Sequence, residues 1–436
     1  MSSANNGPLS HADGAWLNRL PNRWDVVRLK FAVRVRSVKR NVVPKDRYIG
    51  LEHVESWTGR LQNSEDASAN AEGLGVVFEA GDVLFGKLRP YLAKVFLADR
   101  PGIASTEFLA LQGVRVEAGF LRYCFVSEPF IGAVVAATYG AKMPRANWED
   151  IGNLPQVVPP RQEQRAIADF LDRETAKIDA LIAAQERLIS LLDEKRQATV
   201  THAVTKGLDP DAPMKESGIE WIGDMPAKWR VSPVRRAAKR IQTGSTPPTG
   251  ERSYYEDGEV AWYGPSSFGP TLALGAPPKE ISRSALSDGV ARLFAPQACL
   301  IVTIGATIGK VGQLNHAGST NQQITAVEFD ERVVKPRFAS YALKCLEPLI
   351  RGIAPNTTLP ILSQTVIGGL PIPVPPIIEQ SQIAAYIDRR LAEIADLRNR
   401  SRKIIERLRE RRTALITAAV TGQIDVSRPA ITEAAE

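Results

Sequence analysis

The chain has little of what catalytic proteins usually display. Only four of its 436 residues are His and only three are Cys. Cys124, Cys299 and Cys345 lie far apart and form no C-x-x-C pair, which argues against a disulfide framework or a zinc site and for packed thiols. His11, His53, His202 and His316 are scattered, and no H-E-x-x-H is present. No G-x-G-x-x-G opens a βα unit. The nearest approach to a phosphate loop is GATIGK, from Gly305 to Lys310. It is one residue short between its glycines, and Val311 stands where Ser or Thr is needed, so it reads as a strand turn. Asn356, in APNTTLP, does not form the Asn-Pro-Pro-aromatic run of an amino-methyltransferase, and the carboxylates show no metal-type grouping. No apolar run approaches the ~18 to 20 residues of a membrane span. The polar start (MSSANNGPLSHADGAW) lacks the build of a secretory signal. These absences lead to the expectation of a non-catalytic binding protein of the cytoplasm, with no metal and no cofactor of its own.

What is present is a repeat. IGNLPQVVPPRQEQRAIADFLD from Ile151 is answered by IGGLPIPVPPIIEQSQIAAYID from Ile367. The offset stays at 216 positions through THAVTKGLD and TAAVTGQID, with roughly 26 identities in about 59 positions, far above chance. Each copy is a Pro-rich turn followed by a long amphipathic helix. From Glu163 to Val204 such a helix is about 60 Å long at 1.5 Å per residue. Ile178, Leu181, Leu188 and Leu192 in the first rod match Ile394, Leu397, Ile404 and Leu408 in the second, a heptad seam with a polar gap at Gln185 and at Ser401.

The repeat continues more weakly outside the rods. Leu20-Pro21 and Trp24 correspond to Met225-Pro226 and Trp229, here at an offset of 205. GDVLFGKLRPYLAKVF from Gly81 answers PQACLIVTIGATIGKVG from Pro296, each followed by a Ser-Thr pair and another strand. Short apolar helices containing Glu128-Pro129 and Glu347-Pro348 come next. The expected fold is α+β: two similar domains at 20–158 and 225–374, rods at 159–206 and 375–421, a Pro- and Asp-rich exposed linker at 207–224 and a tail at 422–436. An isolated rod must bury its stripe, and its own duplicate is at hand. Antiparallel pairing as a coiled coil with pseudo-two-fold symmetry is expected, with packing of each rod on its own domain as the competing arrangement.

A net charge of +7 and a pI near 9.3 permit nucleic-acid binding without demanding it. Cations cluster between the apolar runs. The first domain offers Arg36, Lys39, Lys87, Arg89, Tyr91, Lys142 and Arg145; the second offers Thr246, Arg252, Lys310, Asn321 and Gln322. Arg and Lys suit phosphates and guanine edges, and Asn and Gln can pair with adenine. Roughly ten Lys or Arg against five acids make the second rod basic from Asp388 to Arg412.

With these residues in place, the chain resembles the specificity subunits of Type I restriction–modification systems. The matching features are YIGLEHVESWTGRL from Tyr48, the two Pro-Pro-x-x-Glu-Gln rod openings, ESGIEWIG before Pro226, IQTGSTP from Ile241 and the two post-rod segments. The match is looser from about Pro270 to Asp288. The resemblance implies that each domain reads one half of a bipartite, asymmetric duplex DNA target. It also implies that the rods fix the unread spacer and dock two methyltransferase subunits, which carry S-adenosylmethionine and methylate adenine, with a motor-nuclease subunit as a further partner. The competing reading is a coiled-coil scaffold whose domains bind proteins.

Overall fold

The computed structural model describes residues 17, 20–62, 73–140, 142–353 and 360–426. His11, Trp16, Asn356 and the tail beyond residue 426 lie outside the described residues. The chain forms two compact units that do not follow chain order: Met1–Glu186 with Arg402–Glu436, and Arg187–Ser401. Both rods are single helices, Arg161–Lys206 and Ile377–Val420, and each gives one end to each unit.

In the first unit, Asp25–Arg28 pairs antiparallel with Pro155–Val158 and so joins the two ends of the domain. A four-stranded antiparallel sheet runs Val33–Val35, Phe108–Gly113, Val83–Gly86, Val95–Leu97. A second runs Lys39–Asn41, Leu74–Phe78, Gly102–Ser105, Tyr48–Ile49, the last pair parallel. All four residues of Val83–Gly86 are buried, as in a strand covered on both faces. The helices Ala118–Phe125 and Glu128–Ala136, the latter opening with Pro129 in its first turn, cover one face. Phe85, Phe125 and Phe130 meet there with ring centroids 4.6 to 5.6 Å apart.

The second unit repeats the plan. Arg230–Pro233 pairs with Pro371–Val374, and a four-stranded sheet runs Ala238–Thr243, Ile324–Phe329, Cys299–Val302, Val311–Gln313. Ser319–Thr320 joins Val260–Tyr263 in parallel, as Gly102–Ser105 joins Tyr48–Ile49. The mixed α and β class with two similar domains is therefore borne out. The linker is less plain than its composition suggests: Met214–Glu216 forms a hairpin with Asp224–Pro226.

The rods end inside the domain cores. Ile167 and Leu171 from the start of the first rod, and Ile416, Ala419 and Val420 from the end of the second, join Trp24 and Phe120 in one core. Val200, Ala203 and Val204 with Ile383 and Ile387 join Trp229 and Phe338 in the other. Each fully buried Ile or Val here contributes roughly 1.5–3 kcal/mol. The two arrangements weighed from sequence are thus combined, since the start of each rod packs on its own domain and its end on the other. The chain leaves each rod through a left-handed glycine set against the tryptophan of the weaker repeat. Gly422 has φ +69°, and a Cβ there would sit 3.2 Å from the Trp24 ring; Gly207 has φ +78° and a Cβ would sit 3.1 Å from the Trp229 ring.

The Pro-Pro-x-x-Glu-Gln motif acquires a physical cause. Gln164 is buried, accepts the Glu117 N–H at 2.6 Å, and donates to the carbonyls of Pro159 and Arg115. Gln380 does the same with the Lys335 N–H at 2.6 Å and the carbonyls of Pro375 and Val333. Glu117 and Lys335 are the N-cap residues of the domain helices Ala118–Phe125 and Pro336–Cys345. One amide thus ties the start of each rod to the start of a domain helix. A second link repeats beside it: Tyr123 and Arg122 bind Asp172, and Tyr341 and Arg337 bind Asp388.

The seam needs correction. Ile178, Leu192 and Ile394 are buried and Leu408 is half-buried, but Leu181, Leu188, Leu397 and Ile404 are 53, 41, 47 and 43% exposed. The inward positions instead run Leu171, Thr175, Ile178, Ile182, Gln185, Ile189, Leu192, in strict steps of four and three, and recur 216 positions later as Ile387, Leu391, Ile394, Arg398, Ser401, Ile405, Leu408. Ile182 and Ile189 take half-buried seam positions, while Leu181 and Leu188, one residue out of phase, turn outward. The seam also contains charge. In the first unit Arg412 Nε binds Asp179 at 3.0 Å, both side chains being buried, and Arg409 meets Glu186 at 3.3 Å. The first rod ascends as the second descends, so these segments run antiparallel. In the second unit Asp193 takes Arg398 at 3.3 Å.

Candidate nucleic-acid interface

In each unit a strand buried on both faces runs into a loop and returns as its neighbour: Val83–Gly86 to Val95–Leu97, and Cys299–Val302 to Val311–Gln313. The two loops share one backbone path. Left-handed residues fall at the same places 216 positions apart, Arg89 (φ 50°) with Gly305 (φ 97°) and Ala93 (φ 44°) with Gly309 (φ 90°). Lys87 N–H donates to the Glu107 carbonyl at 2.8 Å, and Thr303 N–H donates to the Gln323 carbonyl at 2.8 Å. Lys94 Nζ donates to the Leu51 carbonyl at 2.6 Å, and Lys310 Nζ to the Phe268 carbonyl at 3.3 Å. Lys310 is therefore a correction to the DNA-contact set: its ammonium is half-buried against main chain and braces the loop, as Lys94 does. GATIGK is the strand turn its spacing suggested.

Strand register also corrects the Ser-Thr pairing. Ile103 pairs with Tyr48, and Ser319 pairs with Trp262, in equivalent parallel ladders. Ser319-Thr320 thus corresponds to Ile103-Ala104, and Ser105-Thr106-Glu107 to Asn321-Gln322-Gln323. The turn is kept by Glu107 N–H on Ser105 Oγ at 3.3 Å and by Gln323 N–H on Asn321 Oδ1 at 3.0 Å.

The first unit gathers most of its expected residues around this loop. Arg89 N–H donates to the Pro144 carbonyl at 2.7 Å and Ala146 N–H to the Lys87 carbonyl at 3.1 Å, which brings Lys87, Arg89 and Tyr91 beside Lys142 and Arg145. Burial pushes the Lys87 ammonium below its ordinary pKa, with Glu107 acting against that and Arg145 and Lys39 with it. Two cations prove to be spoken for. Arg36 grips Asp82 through two bonds of 3.0 and 3.3 Å, and Asp82 in turn accepts the Glu79 N–H, so this arginine fixes a turn. Arg145 pairs with Glu107 at 2.7 Å. Lys39, Lys87, Arg89 and Lys142 have no side-chain ion pair among the described residues, and Tyr91 is 45% exposed.

The second unit presents amides where the first presents cations. Asn321 Nδ2 donates to Gln323 Oε1 at 3.1 Å, and Thr246 Oγ1 donates to Gln322 Oε1. Arg252 is exposed in the turn Arg252–Tyr254 and is not bonded to this cluster. Gln364, from the segment before the second rod, lays its amide on Thr243 and extends the same polar surface. Nothing in its sequence context signalled that position. Among the described residues no group of three or more His, Cys, Asp or Glu could hold a metal ion, and no single helix is long and apolar enough to cross a membrane.

Two domains of one mixed plan, each with a helical rod, define the class: a duplicated protein with paired loop surfaces. Comparison with known proteins shows what the chain is similar to. Residues 235–407 match the family model described as Type I restriction modification DNA specificity domain. The chain is 23% identical over 221 residues to the Type I restriction enzyme EcoDI specificity subunit of Escherichia coli, covering 49% of this chain and 45% of that protein. It is 24% identical to a putative Type I restriction enzyme MjaX specificity subunit of Methanocaldococcus jannaschii, of which it spans 61%, and 21% identical to the MjaVIII specificity subunit of the same organism, over 94% of each. A structure described as showing complex assembly and conformational transition of the type I R-M system superposes with a TM-score of 0.73 at 20% identity, covering 93% of this chain and 99% of that one. The HsdS subunit from Thermoanaerobacter tengcongensis superposes at 0.53 and 21%, covering 93% and 98%. The resemblance to Type I specificity subunits is borne out.

Proposed function

We propose that the chain is the DNA-recognition subunit of a Type I restriction–modification complex and has no catalytic role of its own. The observation that carries this is the pair of loop surfaces, built on one backbone path but lined by unpaired cations in one unit and by amides in the other. Unlike surfaces on like scaffolds suit an asymmetric, bipartite duplex target, each unit reading one half-site. The rods serve as spacer and as docking surface for two methyltransferase subunits, with a motor-nuclease subunit as a further partner. The outward Leu181, Leu188, Leu397 and Ile404 fit a protein-docking role, since large apolar side chains recurring on a solvent face mark contact surfaces. Adenine methylation requires the base to leave the stack, and in this reading that pocket and S-adenosylmethionine belong to the partner, in the cytoplasm.

The same outward leucines also suit the scaffold reading, in which the domains bind protein. Binding of random duplex by the partner complex at varied salt separates the two. DNA recognition predicts a log–log slope near −0.9 per neutralised phosphate; no binding even at low salt would favour the scaffold.

A further inference from the structure

Arg89 occupies a position that costs the fold something. Its φ of 50° lies in the left-handed region, where a residue with a Cβ is disfavoured, and the duplicate loop uses Gly305 at the same place. The path itself therefore does not call for arginine. Strain of this kind persists where the surroundings impose it, and it gathers at functional positions. The surroundings are visible here: the Arg89 N–H is held by the Pro144 carbonyl, and Pro90 follows at the start of a short turn closed by Leu92 N–H on the Arg89 carbonyl.

The guanidinium this strain presents is exposed and unclaimed. It has no hydrogen bond or ion pair among the described residues, whereas Arg145 beside it and Arg36 elsewhere in the unit are neutralised by Glu107 and Asp82. Lys87, half-buried, and Tyr91, exposed, flank it on the same loop. A lysine serves phosphate as a point charge, but a free guanidinium has the planar fork that engages two acceptors at once. The acceptor pair that such a fork reads in a duplex is the O6 and N7 edge of guanine in the major groove.

We infer that Arg89 is a base-reading, specificity-determining residue of the first unit and selects a guanine in its half-site. This rests on the proposed DNA-recognition function. The second unit, with glycine at this place and Asn321, Gln322 and Gln323 beside it, lacks that guanidinium, so its half-site is read without an arginine from this loop.

The test uses the full chain with its co-purifying methyltransferase subunits and selects bound sequences from a pool of duplexes randomised over both half-sites. Arg89→Gly copies the duplicate loop and relieves the left-handed strain, so it is expected to fold at least as well, checked by thermal melting. It should flatten the preference at one G·C pair of one half-site by about tenfold to hundredfold and leave the other half-site unchanged. Arg89→Lys keeps the charge and should flatten the same position. An unchanged motif with Arg89→Gly overturns the inference while leaving the recognition function intact. So does a uniform affinity loss that Arg89→Lys restores, because that marks a phosphate contact. A wild-type complex that selects no bipartite motif overturns both.

Discussion

Gln164 and Gln380 show how much one side chain can organise. Each is buried and serves one N–H and two carbonyls, joining the start of a rod to the cap of a domain helix. Replacement by Ala leaves those main-chain groups without partners. The expected destabilisation is about 1–3 kcal/mol for each group left unsatisfied, measured by denaturant unfolding. The fold, followed by circular dichroism, should survive, because the hydrophobic cores are untouched. The cysteines make a different prediction. Burial pushes the thiols of Cys124, Cys299 and Cys345 up to about 12. In the unfolded chain they ionise near 9, so above that pH the unfolded state binds fewer protons than the native state. Their contribution to stability is full below pH 9 and falls as pH rises toward 12. Correspondingly, alkylation of Cys124 and Cys299 at pH 8 should be slow in the native chain and fast only after unfolding, with half-buried Cys345 reacting first; prompt labelling of Cys124 or Cys299 in the folded protein would contradict their burial.

At the scale of elements, the rods set the sharper test. The existence of both helices, their length and their Pro-rich openings were legible in the sequence, because periodicity over many turns is a strong signal. The phase of the seam was only half legible. Leucines one residue out of phase compete with isoleucines for the same stripe, and Asp179, Arg398 and Arg412 enter the seam because each finds a counter-charge there. Ile182→Lys or Ile189→Lys, at half-buried seam positions, should destabilise by about 1–2 kcal/mol through lost packing, whereas Leu181→Lys or Leu188→Lys should stay within about 0.5 kcal/mol, as read by thermal melting. Equal losses at all four would restore the leucine seam. The Asp179–Arg412 pair belongs to the same test. Asp179 also pairs with Arg60 at 2.7 Å, so Asp179→Ala strands the buried Arg412 and costs about 3–5 kcal/mol, whereas Arg412→Ala leaves Asp179 its second partner and costs less. Changing both Asp179 and Arg412 to apolar residues costs less than Asp179→Ala alone. A double-mutant cycle measures the difference. The loops were less legible than the rods. Arg36, Arg145 and Lys310 looked like free cations, but their partners Asp82, Glu107 and the Phe268 carbonyl come from distant positions that no local pattern reveals.

For the whole molecule, the duplication organises everything above. Each rod has one end in each unit's core. A heptad added to both rods at matching layers keeps the seam in phase. Under the proposed function, such a variant should lengthen the unread spacer and leave both half-sites as they were. The central claim is most directly tested by mapping methylated adenines across a genome exposed to this chain together with the methyltransferase subunit that the proposed function assigns to it. The account predicts a single bipartite motif with two unlike half-sites and a spacer of constant length. Methylation at one uninterrupted short site, or none above background with a folded complex, would contradict it.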